Sequence, residues 1–186
     1  FKVGRVREHW AKNCLAVGLS QGFIEPLEAT ALDMVQETVV RFIEAANKGN
    51  FTDQYRDEFN ERISKRFDAV RDYIVCHYRI SSRDDTDYWR DCATNEKISR
   101  SLHELLTAWM SGKNITDELE RQNLDAYFPS VSWNCLLAGK GILPSADQVR
   151  PGNELAHKYD LEKISSYLQG CALNFKAHQE QLREVH

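Results

Sequence analysis

The sequence predicts a mainly α-helical fold that opens on one short strand-loop-helix element. Two observations support this fold class. Apolar residues recur every three or four positions over 51–78, which makes about seven helical turns without glycine or proline. Earlier in the chain, an apolar run begins after Asn13, extends to Leu19 and leads into a turn, as expected of a buried strand.

The first helix is predicted to begin near Thr30 and to end at Gly49, a plausible C-cap. The turn at 20–22 separates it from the strand, and Pro26 suits the approach to a helix. Its predicted inward face is the apolar stripe formed by Leu32, Val35, Val39, Phe42, Ile43 and Ala46.

The remaining elements are also predicted as helices. The long helix over 51–78 is followed by shorter ones over 88–92, 98–110 and 132–138, and by an amphipathic helix over 159–185. The inward stripe of the long helix consists of Tyr55, Phe59, Ile63, Phe67, Val70, Ile74 and Tyr78.

Composition and charge argue against several classes of function. The 186 residues carry a formal charge of −4, which argues against nucleic acid as the main partner. No apolar run is long enough to span a bilayer and no signal peptide is visible, so we expect a cytoplasmic location without a membrane partner.

The chain begins with Phe1 rather than Met, and we expect it to be a piece of a longer protein. No disulfide framework or metal site is expected, because no CxxC pair occurs among Cys14, Cys76, Cys92, Cys135 and Cys171.

The segment 18–32 carries the strongest chemical signal. Here a predicted strand runs through a glycine-bearing loop into the N-terminus of a helix. Free backbone N–H groups and the positive end of the helix dipole favour an anion or a cofactor at such a place. On pattern alone, helix capping is the favoured explanation of Glu28.

Three separated motifs change that interpretation. Residues 25–31 read Glu-Pro-Leu-Glu-Ala-Thr-Ala, a His-Tyr pair at 77–78 precedes an Asp-x-x-Tyr-Trp run at 85–89, and 132–144 combine Ser-Trp with a Gly-x-Gly turn. In this order they resemble the flavin-dependent halogenases similar to tryptophan halogenases. The resemblance covers the chain from about Gly4 to Pro144.

The resemblance implies a reaction and a set of site residues. In such enzymes FAD is reduced by a separate reductase and reacts with oxygen to a flavin hydroperoxide. The hydroperoxide oxidises chloride or bromide to hypohalous acid, which halogenates an aromatic substrate. Glu28 matches the glutamate that contacts the substrate and stabilises or deprotonates the attacked ring. Thr30 and Ala31 match the residues whose N–H groups hold the halide, and Leu19 and Leu32 match backbone contacts to the flavin.

Two positions depart from the family pattern, and the role of two aromatic residues is left open between substrate contact and core packing. Ala29 replaces a family serine and Ala31 a family glycine, so the loop is expected to differ in shape because alanine tolerates positive φ poorly. Phe128 and Trp133 fall where family members sandwich a flat substrate, but plain core packing is an equal alternative. The Tyr- and Asn-rich lining of halogenases that act on free tryptophan is missing at this point, so the resemblance implies an indole-like or other aromatic substrate rather than tryptophan itself.

The resemblance also divides the chain. Residues 1–32 would be the end of an FAD-binding domain with the halide and flavin loop, and 33–186 a helical substrate-side domain. The GxGxxG fingerprint, the Trp-x-Trp-x-Ile-Pro motif and the catalytic lysine of the family are absent and expected upstream, so this chain alone should be inactive. His77 is interpreted as a structural, hydrogen-bonded histidine.

Two other functions stay open as alternatives. An FAD-dependent aromatic hydroxylase would share the loop that closes the flavin pocket, although it needs neither Glu28 nor a halide site. A non-catalytic helical interaction domain would suit the long helix. The sequence leaves open the substrate, the ring position, the choice of halide and whether the protein forms a homodimer.

Overall fold

A computed structural model describes residues 3–124, 127–148 and 160–185. The chain divides into two compact units, residues 1–148 and residues 149–186. The described residues form eight α-helices and four two-residue strands, which confirms the predicted mainly α fold. The helices are α1 (Thr30–Lys48), α2 (Arg56–Arg79), α3 (Asp87–Thr94), α4 (Arg100–Met110), α5 (Ile115–Gln122), α6 (Ser130–Gly139), α7 (Leu161–Ala172) and α8 (His178–Val185).

The strands form two small antiparallel pairs. β1 (Gly4–Arg5) pairs with β4 (Gly22–Phe23), and β2 (Trp10–Ala11) pairs with β3 (Cys14–Leu15). The predicted buried strand over 13–19 is therefore wrong in length and burial. Only its first part pairs, in a hairpin, and a 3₁₀ turn follows at 18–20, where the left-handed backbone of Gly18 ends the extended conformation.

Helix α1 begins at Thr30 and is capped by Gly49, whose N–H donates to the Ala45 carbonyl at 3.0 Å, as predicted. Its predicted inward face is half wrong. Leu32, Val39 and Ile43 are exposed, whereas Val35 and Phe42 are partly buried and Ala46 is buried. The buried side also carries Thr30, Met34 and Thr38, which the predicted stripe did not include. Thr38 Oγ1 accepts a hydrogen bond from the Gln21 side chain at 2.8 Å and donates one to the Met34 carbonyl at 2.7 Å, which fixes the rotation of the helix.

Helix α2 is the central element of the first unit. Its predicted inward residues Phe59, Ile63, Phe67, Val70 and Ile74 are all buried, which confirms this part of the stripe. They pack with Trp10 and Met34 in one core cluster. From the same helix, Tyr73 and Cys76 enter a second cluster with Ile80, Leu102, Leu105, Ile115, Leu119, Trp133, Leu136 and Leu137.

The later helices agree with prediction in part. The short helices predicted over 88–92, 98–110 and 132–138 are confirmed with shifted ends, whereas α5 was not predicted. The final helix predicted over 159–185 is two helices, because turn-type hydrogen bonds at 173–175 end α7. Residue 159 lies outside the described residues. Among the residues that are described, every helix is too short or too polar to span a bilayer.

Candidate functional site

The chemically distinctive segment is residues 24–31, a loop with the first two residues of α1, called the site loop below. Pro26 precedes a 3₁₀ turn at Leu27–Ala29, and Thr30 then begins α1. Glu28 and Ala29 both adopt left-handed backbone, with φ of 63° and 52°. From the family glycine at position 31, the sequence analysis expected an unfavourable positive φ at Ala31. Ala31 instead lies inside the first turn of α1 and has no positive φ.

Glu28 lines an open cavity of about 380 Å³ between the site loop, α2 and α6. Its side chain is 49% exposed, and Oε1 lies 3.6 Å from Nε2 of His77. His77 Nδ1 lies 2.9 Å from the Tyr73 carbonyl oxygen, so the predicted structural hydrogen bond is confirmed. The other residues that line this cavity are Tyr73, Val131, Ser132, Cys135 and Leu136.

The contact between Glu28 and His77 was missed by sequence reasoning. The two residues belong to different elements far apart in the chain, so no local spacing reports their approach. The signal that could have found it is the resemblance itself, because both residues belong to its matched motifs. Glu28, His77 and Tyr73 all line this cavity, so a carboxylate and an imidazole lie beside an aromatic ring.

Tyr73 supplies the aromatic ring that lines the Glu28 cavity. Burial, followed by the negative charge of Glu28, raises the pKa of its hydroxyl to about 12, so the group stays protonated. The hydroxyl donates to the Ser132 carbonyl at 3.4 Å. The ring of Tyr73 stacks on Phe128, with centroids 3.9 Å apart, and meets Trp133 edge-on at 4.9 Å.

Phe128 and Trp133 therefore both pack against Tyr73 in this structure. Trp133 is 2% exposed and belongs to the core. Phe128 is partly buried and touches both core clusters. This geometry favours the core-packing alternative for Trp133, and substrate contact by the two rings stays a prediction.

Thr30 and Ala31, the predicted halide residues, occupy the first turn of α1. Ala29 at the N-cap offers no side-chain oxygen, so side-chain capping from that position is impossible. Thr30 is buried, with Oγ1 donating weakly to the Leu27 carbonyl at 3.5 Å, whereas Ala31 is exposed. Backbone N–H groups of such a first turn can bind an anion.

Leu19 and Leu32, the predicted flavin contacts, are both exposed and line a second cavity of about 220 Å³. Pro26 and Ala31 also line it, so the site loop contributes to both cavities. The described residues contain no cluster of His, Cys, Asp and Glu side chains that could hold a metal ion.

Comparisons with known proteins agree on one family. The family model for tryptophan halogenase matches residues 1–153. The chain is 30% identical over 146 residues to the 7-chloro-L-tryptophan 6-halogenase KtzR of Kutzneria sp. (strain 744), covering 77% of this chain and 27% of that protein. It is 31% identical over 169 residues to the tryptophan 7-halogenase RebH of Lentzea aerocolonigenes, covering 84% of this chain and 31% of that protein.

A solved structure gives the same result. BrvH, a flavin-dependent halogenase from Brevundimonas sp. BAL3, superposes with a TM-score of 0.70 at 30% identity, covering 94% of this chain and 33% of that one. The chain thus spans about a third or less of the length of these relatives. From the family model and these similarities it follows that the chain belongs to the tryptophan halogenase family.

Proposed function

We propose that this chain is part of an FAD-dependent halogenase that oxidises chloride or bromide and halogenates a tryptophan- or indole-like substrate. The observation that carries the proposal is the position of Glu28, whose carboxylate opens into a cavity walled by Tyr73 and the apolar side chains of α6. A flat aromatic ring suits such a wall, and a carboxylate beside it suits a reaction in which the ring becomes positive.

Glu28 would act on the attacked ring. When a ring carbon forms its bond to halogen, the halogen–oxygen bond of hypohalous acid breaks and hydroxide leaves. The ring gains a positive charge, and the same carbon still carries its hydrogen. The carboxylate stabilises that charge and then accepts the proton, while the C–H bonding pair restores aromaticity. The left-handed backbone at Glu28 and Ala29 supports a functional role, because strained backbone concentrates at functional sites.

The second cavity suits one edge of a flavin ring. Its lining is mainly apolar and includes Leu19, Leu32 and Phe67, which suits the edge of a flat aromatic ring system. Bound reduced FAD would activate molecular oxygen, and the oxygen would supply the oxidising equivalents that convert halide to hypohalous acid. The N–H groups of Thr30 and Ala31 would hold the halide between the two cavities.

The proposal includes the organisation of the whole protein. Residues 1–32 would complete the flavin-binding part and the residues from 33 onward would form the substrate side. A separate reductase would supply reduced flavin in the cytoplasm.

The test uses the whole protein with FAD, a flavin reductase and bromide, incubated with indole and with tryptophan. Mass spectrometry should show the isotope doublet of a brominated product. Glu28→Gln should lower the rate by about 10²- to 10⁴-fold, because it removes a general base. Glu25→Gln is the matched control, since Glu25 is exposed in the same loop but does not line the Glu28 cavity. A hydroxylated product, or full bromination by Glu28→Gln, would overturn the proposal.

A further inference from the structure

The hydrogen bonding of His77 fixes which of its ring nitrogens faces Glu28. The Tyr73 carbonyl oxygen can only accept a hydrogen bond, so the Nδ1 atom that lies 2.9 Å from it must carry a hydrogen. Nε2 is then the atom directed at Glu28 Oε1, at 3.6 Å. In the neutral imidazole this atom has a lone pair, which would repel a carboxylate. The approach is attractive when Nε2 also carries a hydrogen.

His77 is the residue placed to pair with this carboxylate. Of the described residues that line the cavity, His77 alone can carry a positive charge. The hydroxyl of Tyr73 is directed to the Ser132 carbonyl rather than to Glu28. The imidazole is held in place, because its ring packs edge-on against Tyr73 with centroids 4.8 Å apart and its side chain is 17% exposed.

We propose that His77 is a positioning residue for Glu28: its Nε2–H holds Oε1, so that the second carboxylate oxygen is presented to the substrate ring. This inference rests on the proposed function of Glu28. A half-exposed glutamate side chain has several rotamers, and fixing one of them keeps the accepting oxygen within reach of the departing proton. His77 thus acts through Glu28 and does not touch the substrate.

Two substitutions separate this role from a structural one. The amide nitrogen of His77→Gln can take the place of Nε2 and donate to Glu28, but the link to the Tyr73 carbonyl is lost. The amide nitrogen of His77→Asn can take the place of Nδ1 and keep that link, but nothing then reaches Glu28. A positioning role requires the first contact, whereas a structural role requires the second.

The experiment measures kcat and KM for bromination of indole by the whole protein and its His77→Asn, His77→Gln and Glu28→Gln variants. We expect His77→Asn to lower kcat by about 10- to 100-fold with KM little changed, since misplacement of a reacting group by about 1 Å has an effect of this size. His77→Gln should retain most of the kcat. Thermal unfolding midpoints of all variants verify that they fold.

The outcomes distinguish the two proposals. Activity that survives in His77→Asn, or that is lost equally in both His77 variants, would overturn the positioning role. If Glu28→Gln is inactive in that case, the proposed function stands without it. No brominated product from the unmodified protein would overturn the proposed function, and the role of His77 would fall with it.

Discussion

Glu28 and Ala29 occupy the left-handed region of backbone conformation one after the other, immediately before α1. Each such non-glycine residue costs roughly 1–2 kcal/mol, because the Cβ atom approaches the neighbouring carbonyl oxygen. Alanine has no side-chain oxygen to offset this cost with a local hydrogen bond. The strain therefore lies in the same turn as the carboxylate that we propose as the base.

Replacing Ala29 with glycine should relieve part of this strain. We expect Ala29→Gly to raise the free energy of unfolding by about 0.5–1 kcal/mol, since glycine adopts positive φ freely. Ala31→Gly is the matched control, because Ala31 has ordinary helical backbone in the first turn of α1 and glycine there should lower stability by up to about 1 kcal/mol. Urea unfolding followed by circular dichroism measures both, and loss of stability in Ala29→Gly would contradict the strained backbone.

Gly112 should tolerate no side chain. Its φ is +64°, and a Cβ atom added there would lie 2.0 Å from the carbonyl oxygen of Gln148. We expect Gly112→Ala to lower the free energy of unfolding by about 1–3 kcal/mol, the range typical of overpacking. Gly139 at the end of α6 has open space around it, so Gly139→Ala should change stability by less than about 1 kcal/mol. Equal urea midpoints for the two variants would show that the contact with Gln148 is absent.

The long helix could be predicted from sequence and the orientation of α1 could not. Every apolar residue between Phe59 and Ile74 that repeats at helical spacing points into a core, so the stripe alone located α2. In α1 the apolar residues extend beyond one face. Its rotation depends on the hydrogen bond between Thr38 and Gln21, a tertiary contact that helical spacing cannot reveal.

The position of the site loop could be predicted from the sequence, but the contacts between its residues and those of other segments could not. The Glu-Pro-Leu-Glu run identified Glu28 through family resemblance, and the first turn of α1 lies where the sequence placed it. The approach of His77 depends on how α2 packs behind the site loop, and the local sequence does not encode that distance. The stacking of Phe128 on Tyr73 also arises from packing between separate segments.

Cys76 should be chemically inert in the folded chain. Its thiol is fully buried, and burial, followed by the negative charge of Asp72, raises its pKa to about 12. The reactive thiolate is then nearly absent at neutral pH. We expect a thiol-alkylating reagent to modify the exposed Cys14 and Cys135 quickly and Cys76 only in denaturant, as measured by peptide mass mapping. Rapid native labelling of Cys76 would contradict its place in the core.

His9 should make the stability of the chain depend on pH. It is 1% exposed, its ring stacks on Phe67 with centroids 5.5 Å apart, and Nε2 lies 3.3 Å from Ser64 Oγ. Among the described atoms, its buried Nδ1 has no hydrogen-bond partner. Burial, followed by the positive charge of Arg5, lowers the pKa of His9 to about 4 and outweighs the opposing effect of Asp68.

The sign of the effect follows from this lowered pKa. As pH falls below the unfolded value near 6.5, the unfolded chain takes up a proton that folded His9 does not bind until about pH 4. Stability from this group is therefore complete above about pH 6.5 and is lost between about pH 6.5 and 4, with a decrease of about 2 kcal/mol from pH 7 to pH 5. Urea unfolding at the two pH values should show a smaller decrease in His9→Gln. The control His103→Gln, at an exposed position of α4, should leave the decrease unchanged, and an equal decrease in all three proteins would assign it to other groups.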